Sequence, residues 1–187
     1  MEHHIKLPLT KEKAALLKSG DTVYLSGVIY TARDAAHKRL KALLEEGKSL
    51  PFPIEDAVVY YVGPTPAKPG QVIGSAGPTT SYRMDAYSPE LIRLGLRGMI
   101  GKGKRGAEVI EVIKLYGAVY FGAIGGAGAL LSECVKEAKV IAFDDLGAEA
   151  IHRLVVEEFP VTVVVDSTGN DLYKTGRAAY LAQQERV

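Results

Sequence analysis

The stretch LRGMIGKGKRGAEVIEVIKLYGAVYF, residues 96–121, decides the fold class that this 187-residue chain is expected to adopt. An apolar run at 96–100 leads into a glycine-rich loop, and apolar residues then recur at helical spacing over 107–116. Gly117 stops that helix, and a second β-rich run follows at 118–121. The order strand, helix, strand is typical of two parallel strands joined by a crossover helix.

The same alternation continues towards the C-terminus and becomes less regular towards the N-terminus. Beyond residue 121 the pattern predicts helices near 130–138 and 148–157 and strands at 140–143 and 161–165. Before residue 96 it predicts strands at 22–30, 57–62 and 72–74 and helices that begin near residues 10, 31 and 88. We therefore expect one α/β domain over residues 1–187, with a mostly parallel sheet and crossover helices in its second half.

Composition excludes several classes of protein. Lys and Arg total 23 and Asp and Glu total 22, so a net charge of +1 argues against binding to nucleic acid or to an anionic membrane by bulk charge. The single cysteine, Cys134, excludes an internal disulfide and a zinc ribbon or iron–sulfur cluster held by this chain alone. The N-terminus lacks a signal-peptide pattern, and the longest apolar stretch, 117–131, is too short and too rich in glycine for a membrane helix. We expect a cytoplasmic protein.

Cations occur at the predicted start of a helix in the segment TARDAAHKR, residues 31–39. Thr31 and Asp34 have the spacing of a capping box, Arg33 falls in the first turn, and His37 lies four residues further along the same face. Because a helix N-terminus already favours anions, Arg33 is a candidate carboxylate or phosphate ligand. The alternative is a solvated basic face paired with Glu45 and Glu46.

A loop of small residues, GSAGPTTSYRMD at 74–85, follows one of the predicted strands. Its glycines and proline allow backbone to approach a ligand, and Thr79, Thr80 and Arg83 supply polar contacts. An ordinary turn with Arg83 paired to Asp85 explains the same residues equally well.

The third candidate, GKGKRG at 101–106, has the form G-x-G-x-x-G between a predicted strand and a predicted helix. The acidic residue that a dinucleotide site requires about 20 positions later is missing. Two lysines and an arginine inside the loop also exceed what pyrophosphate binding by backbone needs. The loop is therefore better interpreted as a general anion cradle.

These segments contribute three cations, Arg33, Arg83 and Lys102, with threonine hydroxyls between them. Such a set suits a small, multiply charged anion, for example a dicarboxylate. The residues alone do not choose between Thr79 and Thr80. Cys134 lies in a helical apolar pattern and is expected to be a small core residue.

The chain resembles the C-terminal domain, or β subunit, of class I iron–sulfur fumarate hydratases, and β subunits of L-tartrate dehydratases are similar. The resemblance covers about Ile5 to Tyr173 and leaves 174–187 as a C-terminal tail. The motifs that carry it are SG at 26–27, TARDAAHKR at 31–39, YVGP at 61–64, GPTT at 77–80, RMD at 83–85, MIGKG at 99–103, GAVY at 117–120, FDDLG at 143–147 and VVVDS at 163–167.

The resemblance implies a swivelling β/β/α domain that forms half of an active site. It implies a [4Fe–4S] cluster held by three cysteines of another domain, and hence a cluster-bearing partner α subunit in an α₂β₂ enzyme that interconverts fumarate and malate. This chain would bind no cofactor, would be inactive alone, and could self-associate through its uncovered surface. Matched residue by residue, the substrate-carboxylate ligands fall on Arg33, Arg83 and Lys102 and the catalytic base on Thr79.

Three alternatives remain open from the sequence. The chain could be the β subunit of a tartrate dehydratase, since the residues that contact the distal carbon of the substrate can lie on the partner. It could be a free-standing anion- or nucleotide-binding module that uses the loop at 101–106. It could also be a scaffold without chemistry.

Overall fold

The computed structural model describes residues 1–184. Of the expected C-terminal tail, residues 174–184 belong to a helix, and residues 185–187 lie outside the described part. The strands are β1 (Glu2–Lys6), β2 (Thr22–Thr31), β3 (Val58–Tyr60), β4 (Gly98–Gly101), β5 (Val119–Gly122), β6 (Val135–Ala142) and β7 (Ile151–Val165). The helices are α1 (Lys11–Leu16), α2 (Asp34–Glu45), α3 (Ser88–Arg93), α4 (Ala107–Tyr116), α5 (Gly128–Glu133) and α6 (Leu172–Gln184), and 3₁₀ turns span Ser81–Met84 and Asp144–Glu149.

One mixed sheet organises this single α/β domain. Strands β2, β3, β4 and β5 are parallel neighbours, and helices α2, α3 and α4 lie in the connections between them. The 15-residue β7 runs antiparallel to both β5 and β2 and so closes these strands into a five-stranded, barrel-like ring. Outside the ring, β1 adds in parallel to β2 and β6 adds antiparallel to β7.

The expectation of a parallel second half is wrong beyond β5. The crossover pattern occupies residues 22–122, whereas β6 and β7 form an antiparallel pair. Most of the helix expected at 148–157 belongs to β7, and the helix expected at 130–138 ends at Glu133. The apolar residues Ile151 and Leu154 are three positions apart, which imitates a helical face. These residues form a strand nonetheless, because β7 pairs with β2, β5 and β6, and two register shifts interrupt its pairing with β6.

Alternation along the strands divides the core in two. Side chains on one face of the strands, such as Tyr60, Phe121 and Phe159, belong to a single buried cluster. Side chains on the opposite face, such as Tyr61 and Tyr120, belong to a second cluster, together with the apolar faces of α2, α3 and α4. Tyr61 and Tyr120 therefore lie on the helix-covered side of the sheet, close to where their strands end.

The parallel order brings the carboxyl ends of β2, β3, β4 and β5 to one rim of the ring, which we call the carboxyl rim. Residues that follow these strands meet there, as ligand-binding residues commonly do in α/β proteins. In the described residues, no helix combines the length and the apolar character needed to cross a bilayer.

Candidate active site

The backbone at the carboxyl rim interleaves two of the three predicted segments. The Thr79 amide donates to the carbonyl of Tyr61, directly after β3, over 2.7 Å. The Lys102 amide donates to the Thr79 carbonyl over 3.3 Å, and the Ser81 amide donates to the Lys102 carbonyl over 2.8 Å. Thr80 forms an isolated parallel bridge with Lys102, so that this part of the loop lies between the continuations of β3 and β4, with Thr79 hydrogen-bonded through its backbone to Lys102.

Asp34 joins the other two predicted cations. Its Oδ2 atom accepts hydrogen bonds from Arg33 Nε over 3.2 Å and from Arg83 Nη2 over 2.7 Å. Arg33 Nε also lies 3.4 Å from a carboxylate oxygen of Glu149. The structure therefore brings Arg33 and Arg83 together. Among the described residues the alternative partners pair with other cations, Glu45 with Lys41, Glu46 with Lys48 and Asp85 with Arg105.

The electrostatics of Asp34 keep this cluster ionised. Partial burial alone would raise the pKa of the Asp34 carboxyl, but its backbone hydrogen bond and the Arg33 and Arg83 guanidinium groups outweigh burial and lower it. Asp34 is consequently an anion at neutral pH, and with Glu149 it offsets much of the positive charge of the two arginines.

Thr79 and Lys102 differ from the arginines because their side chains have no protein partner. Among the residues that the structure describes, neither side chain makes a hydrogen bond or an ion pair. Lys102 is exposed, and its ammonium group lies beside Gly125 in the loop after β5. Lys102 is thus the one predicted cation whose charge is free to meet a ligand.

The first turn of α2 is capped by a residue from a distant segment. The expected capping box is wrong, because the hydroxyl of Thr31 donates to the Ala150 carbonyl and accepts from the His152 amide. Glu149 instead accepts a hydrogen bond from the Ala35 amide over 2.8 Å. No local sequence pattern could have indicated Glu149, since the two residues are 114 positions apart.

The three glycines of GKGKRG each meet a requirement of the protein's own packing. A Cβ atom on Gly101 would lie 1.9 Å from Ser81 Oγ, and one on Gly106 would lie 2.9 Å from Asp85 Oδ2. Gly103 has a φ of +82°, which disfavours other residues. The pattern therefore needs no nucleotide to explain it.

Arg105 points into the protein, contrary to its expected place in an anion cradle. Its side chain is fully buried, and its guanidinium group lies over the rings of Tyr61 and Tyr120, 5.4 and 5.0 Å from their centroids. It donates to Asp85 Oδ1 over 2.7 Å and to Ser88 Oγ over 2.7 Å.

The other Asp85 oxygen accepts from the Gly106 amide over 2.6 Å. Asp85 and Arg105 thereby tie the segment that carries Arg83 to the loop that carries Lys102.

His37 is buried and neutral beneath Arg33. Its Nδ1 atom donates to the Arg33 carbonyl over 3.0 Å, and its ring contacts those of Tyr61 and Tyr87. Among the described residues its Nε2 atom has no hydrogen-bond partner. Burial lowers the pKa of His37 from near 6.5 to about 4, so the imidazole carries no charge at neutral pH.

Metal-binding side chains do not cluster in the described part of the chain. No group of three or more His, Cys, Asp or Glu side chains is placed to bind a metal within residues 1–184. Burial raises the pKa of the Cys134 thiol, and its sulfur faces the carbonyls of Leu130 and Glu158.

A mainly apolar cavity of about 370 Å³ opens elsewhere on the surface. Its lining includes Pro64, Val72, Val140 and His152 and none of the four predicted site residues. Recognition of an anion is better served by the charged carboxyl rim than by this cavity.

Comparison with known proteins was made against protein families and curated sequences. A family model described as "Fumarase C-terminus" matches residues 2–176. The putative L(+)-tartrate dehydratase subunit beta of Methanocaldococcus jannaschii is 41% identical over 172 residues, which are 89% of this chain and 88% of that protein. Fumarate hydratase 2 of Leishmania major is 37% identical over 174 residues, and the aerobic class I fumarate hydratase of Escherichia coli K12 is 40% identical over 152 residues. These matches cover 90% and 80% of this chain but only 30% and 28% of those two proteins.

The contact between Gly101 and Ser81 predicts a specific packing defect. Gly101→Ala places a methyl group against Ser81 Oγ, and we expect it to lower the free energy of unfolding by about 1–3 kcal/mol. Gly125→Ala is the control, because a Cβ there would make only ordinary contact with Lys102. Urea unfolding of both variants provides the measurement, and equal stability of the two would contradict the packing described here.

The lowered pKa of His37 predicts how stability depends on pH. Because the unfolded chain binds this proton near pH 6.5 and the folded protein only near pH 4, the contribution of His37 is complete above pH 6.5 and is lost as the pH falls through this window. We expect the free energy of unfolding of the wild type to fall by up to about 3 kcal/mol more than that of His37→Gln between pH 7 and pH 4. Parallel pH profiles of the two proteins would show that His37 is not buried as a neutral group.

Proposed function

Because the chain belongs to the fumarase C-terminus family, we propose that it is the β subunit of a two-subunit hydro-lyase that interconverts fumarate and L-malate. The observation that carries this proposal is a backbone hydrogen bond between Thr79 and Lys102, whose side chains both lack a hydrogen-bond or ion-pair partner among the described residues. These two residues lie on the same rim as the Arg33–Asp34–Arg83 cluster. A dicarboxylate presents two anionic groups to a protein, and this rim offers two separate cationic positions.

In the proposed complex, Lys102 binds one substrate carboxylate and the two arginines bind the other. Carboxylates at these positions would be held by charge-assisted hydrogen bonds. When malate is converted to fumarate, a proton leaves the carbon next to a carboxylate, and cations on that carboxylate stabilise the negative charge that develops. The swivelling β/β/α type remains part of this proposal and fits the parallel core of β2–β5.

We assign the proton transfer to Thr79. A threonine hydroxyl is a weak base, and a neighbouring positive charge is needed to favour its alkoxide. Lys102 is the better candidate for that charge, because Asp34 and Glu149 already offset Arg33 and Arg83. The Thr79 alkoxide accepts the proton from the substrate carbon while hydroxide leaves the neighbouring carbon, and the resulting Thr79 hydroxyl returns the proton when hydroxide adds in the hydration direction. An iron–sulfur cluster on a partner subunit would supply the Lewis acid for that hydroxide.

We propose that the [4Fe–4S] cluster is carried by a partner α subunit in an α₂β₂ enzyme. The presence of a single cysteine in the sequence supports this division, because a cluster of this kind is held by several. So does the coverage of the relatives, since the chain matches 88% of a protein named subunit beta but only 28–30% of two proteins named fumarate hydratase. On this proposal the β subunit alone has no hydratase activity and is cytoplasmic.

Tartrate is the second candidate substrate. The name of the Methanocaldococcus jannaschii relative favours it, because this chain covers most of that protein. The rim described here would bind the carboxylates of either substrate, so the choice depends on groups that contact the hydroxyl-bearing carbons.

Reconstitution tests the proposal directly. The chain is mixed with a cluster-loaded α subunit under anaerobic conditions, and fumarate consumption and tartrate dehydration are followed in parallel. We expect activity only in the mixture, with fumarate the preferred substrate. Preferential tartrate dehydration would replace the first candidate by the second, activity of the chain alone would refute the division between subunits, and no activity with either substrate would refute the proposal.

Thr79 and Thr80 form a matched pair for testing the base. In the reconstituted enzyme we expect Thr79→Ala to lower kcat by roughly 10²-fold or more, because the proton acceptor is lost. Thr80→Ala removes an equivalent hydroxyl one position along the chain and should change kcat less than threefold. Near-wild-type turnover of Thr79→Ala would exclude Thr79 as the base.

Lys102 and Lys104 form a second pair. Lys102→Met should lower kcat/KM by about 10- to 10²-fold, the loss expected when a charge-assisted hydrogen bond to a carboxylate is removed. Lys104 is also exposed, and Lys104→Met should stay within twofold of the wild type. Equal losses from the two variants would show that the loop acts through bulk charge rather than through Lys102.

A further inference from the structure

The hydroxyl of Tyr120 joins the two segments that carry Thr79 and Lys102. It lies 2.8 Å from Ser81 Oγ and 2.9 Å from the Gly103 carbonyl. A carbonyl can only accept, so the phenol hydrogen goes to Gly103 and the Ser81 hydroxyl donates to the Tyr120 oxygen. Ser81 is two residues after Thr79, and Gly103 follows Lys102 directly.

This junction is buried and closely packed. Tyr120 and Ser81 have no exposed surface, and Gly101 has no side chain to separate Ser81 from the neighbouring strand. The ring of Tyr120 is held from the other side by the Arg105 guanidinium group, 5.0 Å from its centroid. The packing of the ring fixes the position of the Tyr120 hydroxyl. Its hydrogen bonds to Ser81 and Gly103 in turn hold the two segments together.

The side chains that bear the chemistry depend on this junction for their positions. Neither Thr79 nor Lys102 has a side-chain partner within the described residues, so no side-chain hydrogen bond or ion pair fixes the hydroxyl or the ammonium group. The backbone sets the points from which these two side chains extend. That backbone is held by the pairing of residues 79–81 with Lys102 and by the Tyr120 hydroxyl. A displacement of about 1 Å between reacting groups can cost about 10²-fold in rate.

We infer that Tyr120 is a positioning residue, whose hydroxyl, with that of Ser81, keeps Thr79 and Lys102 in register. The structural coupling stands by itself, whereas its catalytic consequence rests on the proposed hydro-lyase function. Burial raises the pKa of the Tyr120 phenol well above its ordinary value, so it stays protonated and continues to donate to Gly103. Tyr120 lies behind the reacting groups and is not itself a catalytic residue.

Tyr120→Phe tests the coupling without a partner subunit. The substitution removes one oxygen and keeps the ring that packs against Arg105. Tyr60→Phe is the matched control. It removes a buried tyrosine hydroxyl that donates to the Ala76 carbonyl, in the same loop as Thr79, but in the described part of the chain this hydroxyl makes no hydrogen bond to residues 79–81 or 102–103. In native-state hydrogen exchange of the full chain, we expect the Ser81 and Lys102 amides to exchange at least tenfold faster in Tyr120→Phe than in Tyr60→Phe. Equal exchange at these two amides would overturn the coupling.

The catalytic consequence is measured in the reconstituted enzyme. We expect Tyr120→Phe to lower kcat at least tenfold with less than a threefold change in KM, whereas Tyr60→Phe keeps kcat within twofold. Ser81→Ala should lower kcat similarly, and the double variant should be no worse than the poorer single variant, because both changes remove the same junction.

If Tyr120→Phe loses thermal stability but keeps wild-type kcat, the positioning role is refuted. An inactive wild-type mixture would refute the proposed function, and the exchange measurement would then decide the coupling alone.

Discussion

The buried guanidinium group of Arg105 is the constraint on which the carboxyl rim depends. It lies between the rings of Tyr61 and Tyr120 and pairs with Asp85, so that one side chain contacts two strand ends and the segment that carries Arg83. A charge with no exposed surface is tolerable only when its donors are satisfied, and removing its partner typically costs about 3–5 kcal/mol. The ion pair between Arg105 and Asp85 therefore holds the loop that follows β4 against the segment that carries Arg83, and breaking this pair would cost much of the protein's stability. Thr79 and Lys102, whose side chains have no partner among the described residues, lie on the segments that this ion pair and its neighbours hold in place.

Charge on the rim is divided into a neutralised part and a free part. Arg33 and Arg83 share Asp34, and Glu149 adds a second carboxylate while capping helix α2. Lys102 has no such partner in the described residues. A dicarboxylate that enters this rim would thus meet one preorganised arginine pair, whose own carboxylates limit its net charge, and one lysine with its full charge. A chain with a net charge of +1 can therefore still present a locally unbalanced positive charge.

The first part of the sheet could be predicted from the sequence, its end could not, and the roles of the four candidate site residues stay predictions. Local patterns identified α4 and the strands on either side of it, because helical spacing and a glycine stop are properties of adjacent residues. The direction of β7 depends on pairing with β2 and β6, which no local pattern encodes, and its apolar spacing resembled a helix. The cations were found because charges next to glycines at strand ends are conspicuous in a sequence. Glu149 and the inward direction of Arg105 could not be found, since both depend on contacts between distant segments.

The central claim is that the carboxyl rim of this ring is a dicarboxylate site whose parts are already in place. Titration of malate into the isotopically labelled chain, followed by backbone amide chemical shifts, tests it most directly. We predict that the amides of Arg33, Thr79, Arg83 and Lys102 shift together with one dissociation constant, while amides at the opposite rim, such as that of Arg97, stay constant. Shifts at the opposite rim, or none at the four site residues at saturating malate, would contradict the account.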